Sequence, residues 1–211
     1  MSDPRRALVL VDVQQEYFSG PLEIRHPSPA DSLPRITAAI DAATSADVPV
    51  VVVQHTLGDG APVFDPTSPR FALHPEVEQR RTSAWKAVTK SHGSAYVGTD
   101  LLSWLRENAI DTVTLVGYMT NNCILATAAE SEAHGIAAEV LSDATGAISI
   151  ANEAGSVDAE TVHTTLMALL HSNFAAVART DAWISAVQDG RELAGSDLVT
   201  SATSGAEQFT G

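Results

Sequence analysis

Asp111-Thr-Val-Thr-Leu-Val116-Gly-Tyr-Met-Thr120-Asn-Asn-Cys123-Ile-Leu-Ala-Thr-Ala-Ala129 is the stretch on which the fold reading turns. After Asp111 its residues are apolar or β-branched, the composition of a strand covered on both faces. Gly117 then breaks the run. Asn121 and Asn122 are N-cap residue types, and a helical segment follows to His134, stopped by Gly135. A strand, a glycine turn and a helix in that order form one half of a βαβ unit.

The same alternation recurs in both directions. Ala7-Leu-Val-Leu-Val-Asp12 is an apolar run ended by a carboxylate, and Val48 to Gln54 is the next such run. Between them Leu33, Ile36, Ile40 and Ala43 keep helical spacing from Leu33 to Ala46. Asp31 and Ser32 stand before that helix as caps, with Pro34 in its first turn. A proline-rich loop covers about His55 to Pro75, and Lys86 to Lys90 is a shorter strand. Thr99 caps a helix through Leu101, Leu102, Leu105 and Ala109. Ile136 to Leu141 and Ala175 to Ala178 complete the strands, with helices over Val157 to Phe174 and Asp181 to Val187. Apolar strands joined by helices predict an α/β fold with a parallel sheet covered on both faces. In such sheets ligands lie outside the carboxyl ends of the strands. Asp12, Lys90, the turn from Gly117 to Cys123, and Asp143 all fall at those ends.

The bulk numbers bound the function. A chain of 211 residues suits one domain, read here as residues 1–188, with a polar tail over residues 189–211. A net charge of −14 disfavours nucleic acid and anionic lipid surfaces as partners; the expectation of a small-molecule substrate comes from the motifs below. The apolar run after Arg6 is only about six residues, too short for a signal-peptide core, so a cytoplasmic protein is expected. No Gly-x-Gly-x-x-Gly follows the first strand, which removes the dinucleotide-binding reading. One cysteine is present, so no intramolecular disulfide forms.

That cysteine is either a small buried hydrophobe or a reactive thiol. Its place at the start of a helix favours the second, because the helix dipole and free N–H groups stabilise a thiolate. Asp12 ends an otherwise apolar strand, where a carboxylate is costly unless paired or used; it could also cap a turn. Lys90 alone would be an outward-facing lysine. Beside Asp12 and Cys123 it becomes a cation that supports a thiol–carboxylate proton exchange.

Three ordered segments carry a family resemblance. Leu8-Val-Leu-Val-Asp12-Val-Gln14, Val88-Thr-Lys90-Ser-His-Gly-Ser-Ala-Tyr96 and Val116-Gly-Tyr-Met-Thr120-Asn-Asn-Cys123 resemble the isochorismatase-like cysteine hydrolases over about Ala7 to Ala182. The resemblance implies a three-layer α/β/α architecture around a six-stranded parallel sheet. It implies a catalytic triad of Asp12, Lys90 and Cys123, and a non-proline cis peptide between Tyr118 and Met119. It also implies an oxyanion hole from the N–H groups of Met119 and Cys123, with Thr120 bracing the turn. A substrate pocket lined by Gln14, Phe18, His55, Trp85, Tyr96, Tyr118 and Thr120 is expected, and so is a homo-oligomer, dimeric or tetrameric.

The sequence also departs from some relatives. Nicotinamidases hold a metal with an Asp-x-His pair after the second strand. Here that place reads Val53-Gln54-His55-Thr56-Leu57, and His74 stands alone, so no metal and no cofactor is expected. Some isochorismatases replace the cysteine and cleave a vinyl ether; the retained Cys123 points to amide-type hydrolysis. A catalytically silent interaction module is the alternative from another class.

Overall fold

The computed structural model describes residues 3–209. β1 (Arg6–Val11), β2 (Val50–His55), β3 (Lys86–Lys90), β4 (Thr112–Tyr118), β5 (Ala137–Gly146) and β8 (Ala176–Ala178) form one sheet in the order β3-β2-β1-β4-β5-β8. Every pairing in it is parallel. β6 (Ile150–Asn152) and β7 (Gly155–Val157) form a separate antiparallel hairpin that the sequence did not announce. The helices are α1 (Pro29–Ser45), the single turn α2 (Pro75–Glu78), α3 (Leu101–Glu107), α4 (Leu125–Ala133), α5 (Ala159–Leu169), α6 (Thr180–Gln188) and α7 (Leu198–Phe209). Among the described residues, no helix is long and apolar enough to cross a membrane.

The central strand shows why the sheet is covered twice. Alternate residues of a strand face opposite sides. Ala7, Val9 and Val11 pack with Leu101, Leu105, Ile124 and Ala128 on one face. Leu8 and Leu10 pack with Ile36, Ile40 and Trp183 on the other. All five β1 side chains are fully buried. At ~1.5–3 kcal/mol for each large aliphatic side chain removed from water, both layers are needed to hold the sheet.

Several boundaries differ from the sequence reading. α1 starts at Pro29 rather than Leu33, because Ser28 is the cap: its Oγ accepts from the Asp31 N–H and donates to Asp31 Oδ2 at 2.6 Å. The helix thereby carries Pro34 inside it rather than in its first turn. β5 runs on past Ser142 to Gly146, with a register shift against β4 between Leu115 and Gly117. Small polar residues closed the strand too early in the sequence reading. The segment read as a polar tail contains α7, which exposes Leu198, Val199 and Phe209.

Near the amino ends of the strands lies a buried ion pair. Arg6 Nη2 donates to Glu139 Oε1 at 2.8 Å, both side chains about 5% exposed. Glu139 Oε2 also accepts from Thr114 Oγ1 at 2.6 Å and Trp183 Nε1 at 3.1 Å. Arg6 Nη2 further donates to the Arg191 carbonyl at 2.7 Å, tying the segment after α6 to β1. Removing one partner of a buried pair leaves an uncompensated charge, at a cost of about 3–5 kcal/mol. Arg6→Met is therefore expected to lower the urea midpoint of unfolding by that equivalent, and Arg6→Met/Glu139→Leu to be less destabilised than Arg6→Met alone. Equal stability of wild type and Arg6→Met would contradict this.

Candidate active site

The strand order reverses direction between β1 and β4, and ligands in open parallel sheets bind at the carboxyl side of such a switch point. The close approach of the two strands there depends on Gly117. It pairs with Val11 across the ladder, has φ +107°, and a Cβ on it would lie 2.1 Å from the Val11 carbonyl oxygen. Only glycine fits that position.

Asp12 follows directly from β1 with φ +50°, a left-handed conformation uncommon for a non-glycine residue. Its N–H continues the ladder to the Val53 carbonyl at 3.0 Å, and its side chain turns into the protein, fully buried. Lys90 ends β3 and is equally buried. Lys90 Nζ lies 2.7 Å from Asp12 Oδ2, with the side-chain surfaces of both residues wholly removed from solvent. The approach is an ion pair and not a well-aligned hydrogen bond, since neither Asp12 oxygen has a partner of ordinary hydrogen-bond geometry among the described residues. The same Nζ donates to Cys123 Sγ at 3.2 Å and the His92 carbonyl at 3.1 Å, and lies 2.9 Å from His55 Nδ1. Three positions far apart in sequence thus meet around one ammonium.

Cys123 sits in a π-helical turn, Thr120–Ile124, that leads into α4. The Met119 carbonyl accepts from the N–H groups of Asn122 at 3.1 Å and Ile124 at 3.2 Å, and the Tyr118–Met119 peptide bond is cis. The helix start is not the only influence on the thiol. Burial, and then the Asp12 carboxylate, push the Cys123 thiol up to about 12, against the lowering effect of Lys90. Burial likewise raises Asp12 above its usual range, with Lys90 opposing. Burial therefore favours the protonated form of both the thiol and the carboxyl, and Lys90 opposes it at both.

One oxygen, nitrogen or sulfur atom each from Asp12, His55 and Cys123 lie within 4.8 Å of one another, a spacing a metal ion could use. Lys90 Nζ is within 3.2 Å of an atom of each. The cation of this cluster is the lysine.

The expected pocket residues divide. Phe18 is half-buried and lies against His74, ring centroids 4.3 Å apart. Trp85 is half-buried at the edge of the α1-side core. His55 belongs to the ammonium cluster. Thr120 is buried, and its Oγ1 lies 3.0 Å from His163 Nδ1, so it faces α5. Three of the expected residues have their polar atoms engaged inside the fold. Gln14 is fully buried and its amide is spent on backbone: Oε1 accepts from the His55 N–H at 2.8 Å, and Nε2 donates to the carbonyls of His55 at 3.2 Å and Phe71 at 2.9 Å. Tyr96 packs in the α4-side core, its hydroxyl 3.0 Å from Ser131 Oγ. Tyr118 is fully buried and its hydroxyl pairs with Ser32 Oγ at 2.8 Å. In each case a polar atom that looked available for a substrate already has a partner inside the fold.

His163 is the site-bracing residue that sequence reasoning passed over. It is one helical turn before Leu166 and Met167, on a helix with a mostly apolar stripe; a polar residue in such a stripe needs a buried partner, and that was the available signal. Its ring lies 5.7 Å from that of His26, and burial followed by His26 lowers it to about 4.

The isochorismatase domain model matches residues 6–182. The chain belongs to the isochorismatase family. It is thus a hydrolase of that family, with the family's six-stranded parallel sheet. A crystal structure assigned to an isochorismatase of Burkholderia xenovorans LB400 is 44% identical with a TM-score of 0.94, covering 99% of this chain and 100% of the other. An uncharacterised isochorismatase family protein of Bacillus subtilis is 28% identical over 184 residues, 87% of this chain and 96% of that protein. A secreted isochorismatase effector of Verticillium dahliae is 31% identical over 139 residues, 66% of this chain and 71% of its own.

Two expectations follow from the geometry. Because the Asp12 charge raises the thiol and the Lys90 charge lowers it, Asp12→Asn should speed iodoacetamide labelling of Cys123 at pH 9 by about tenfold and Lys90→Met should slow it by a similar factor, one unit of pKa being one decade of thiolate. Labelling that moves the other way in either variant would refute these signs. Separately, His55 and His163 are both held near 4 in the folded chain, below their ordinary 6.5. The unfolded chain then binds more protons, so their contribution to stability is complete above about pH 6.5 and is lost as pH falls toward 4. The melting temperature should be flat above that window and fall within it, less steeply in His163→Gln.

Proposed function

We propose that this chain cleaves a C–N bond in a small amide, ureide or carbamoyl compound, with Cys123 as nucleophile and a thioester intermediate. The observation that carries the proposal is the convergence of one carboxylate, one ammonium and one sulfur on a single buried spot at the sheet's switch point. A relative of 35% identity over 92 residues, 39% of this chain and 48% of its own, is a nicotinamidase/pyrazinamidase of Mycobacterium tuberculosis, a name that denotes amide cleavage.

The chemistry runs from the resting charges. Asp12, its proton affinity raised by burial, takes the thiol proton as Sγ attacks the carbonyl carbon. The thiol's own high proton affinity means that the thiolate forms together with the new C–S bond and not ahead of it. The tetrahedral oxyanion is received by the N–H groups of Met119 and Cys123, which take no part in the two bonds to the Met119 carbonyl. As the C–N bond breaks, Asp12 returns its proton to the departing nitrogen. Water then attacks the thioester carbon, with Asp12 accepting a water proton and the thiol reforming as the acid product leaves. Lys90 stays charged throughout and offsets whichever anion, carboxylate or thiolate, is present.

The test is ammonia release over a panel of primary amides, ureides and N-carbamoyl compounds. Wild type is expected to turn over at least one class. Asp12→Asn, Lys90→Met and Cys123→Ala are each expected to lose at least ~10³-fold in kcat/KM, in line with the loss of a member of an acting catalytic group. A thioester adduct on Cys123, seen by mass after rapid quench, would accompany turnover. Ammonia release that survives Cys123→Ala would overturn the cysteine as nucleophile; a wild type that releases no ammonia but cleaves a vinyl ether would be a vinyl-ether hydrolase, and a folded wild type silent on both would favour an interaction module.

A further inference from the structure

Four groups crowd the Lys90 ammonium: Asp12 Oδ2 at 2.7 Å, His55 Nδ1 at 2.9 Å, the His92 carbonyl at 3.1 Å and Cys123 Sγ at 3.2 Å. An ammonium has three N–H donors and no acceptor. One of the four is therefore always under-served. A carboxylate is a strong acceptor and a neutral acid a weak one; a thiol is a weak acceptor and a thiolate a strong one. When the proton passes from Cys123 to Asp12, the Oδ2 charge that attracts Nζ is lost, and Sγ, already a hydrogen-bond partner of Nζ, becomes the stronger acceptor. The demands of His55 Nδ1 and the His92 carbonyl do not change.

We infer that His55 is a positioning residue for the catalytic lysine: with the His92 carbonyl it holds Nζ in place while the third N–H stays on Cys123 Sγ and the ammonium's charge partner changes from Asp12 to the sulfur. The inference rests on the proton transfer proposed above. It departs from the expectation that His55 binds substrate.

The surroundings of His55 are built for a fixed acceptor. His55 and Lys90 are register partners across β2 and β3. The Gln14 amide clasps both the N–H and the carbonyl of His55, extending the β1–β2 ladder by a side chain where β1 has already turned away. The Phe64 ring packs against the imidazole, centroids 4.8 Å apart. Because the ammonium can only donate, Nδ1 must be the accepting nitrogen of the neutral ring, and Nε2 carries the hydrogen. His55 therefore has no lone pair left to act as base toward Cys123. Burial and then the Lys90 charge keep the ring near 4, so it stays an acceptor at neutral pH; the other titratable groups around it are His92, Asp12 and Cys123.

The lone cysteine makes the test specific. Iodoacetamide alkylation of Cys123 in the full chain is followed by intact mass at pH 9 for wild type, His55→Leu, His55→Asn and Lys90→Met, with urea midpoints measured alongside. His55→Leu keeps an apolar filling but removes the acceptor, and should slow alkylation about tenfold. His55→Asn places an amide oxygen at the branching position of Nδ1, and should stay within about threefold of wild type. Equal rates for the Leu and Asn variants, whether slow or normal, would overturn the inference, since a space-filling role would not separate them. If His55→Leu does not fold, the comparison is made between His55→Asn and His55→Ala, with the same expected order. A slow Lys90→Met beside a normal His55→Leu defeats this inference alone. A normal Lys90→Met removes the lysine from the thiol's chemistry and defeats the proposed mechanism with it.

Discussion

A fully buried ammonium against a fully buried carboxylate governs the rest of this structure. Taking two such charges out of water costs several kcal/mol per ion, and their attraction repays it only where geometry and further hydrogen bonds are good. Lys90 and Asp12 meet at 2.7 Å, and the lysine is further met by a histidine nitrogen and a carbonyl. The carboxylate is less well served, with no aligned hydrogen bond among the described residues. Burial raises its proton affinity against the pull of Lys90, and so suits it as a base for a thiol that burial has made reluctant to ionise. The electrostatic discomfort of Asp12 and its proposed role are the same fact seen from two sides.

The backbone around the pair is shaped to keep it. Asp12 occupies a left-handed conformation, and Gly117, register partner of the preceding Val11, accommodates the Val11 carbonyl at a distance no side chain would tolerate. Both features lie at the one place where β1 and β4 diverge to opposite sides of the sheet. A left-handed aspartate in an otherwise regular strand end is the kind of local cost that persists only where neighbouring structure over-determines it.

Most of the frame was legible in the chain itself. Uninterrupted runs such as Ala7–Val11 and Val50–Val53 can only be strands buried on both faces, and Asp12, Lys90 and Cys123 were visible as polar exceptions at the ends of such runs. What was not legible was where side chains point once a residue leaves the regular element. Gln14, Tyr96 and Tyr118 flank the motif positions, yet the fold gives their polar atoms to His55, Ser131 and Ser32. Those partners lie 41, 35 and 86 residues away, so no local pattern could reveal them. The same holds for the thiol's protonation: a helix start argues one way, and the depth of burial, which only tertiary packing sets, argues the other. α7 was missed for a simpler reason, since a run of Ser, Thr and Ala residues read as a tail, and the Ser28 cap because Asp31 and Ser32 offered nearer cap residues.

The lysine's address in the sheet has its own consequence. β3 is one of the two border strands, five residues long and, among the described residues, paired on one side only, to β2. Border strands are where a folded protein frays first, at a fraction of the free energy needed to melt it. A brief detachment of this margin would carry off the positive charge and leave the sulfur, the carboxylate and the central strands where they are. The molecule would then keep most of its fold while the thiol and the carboxylate lost their shared cation.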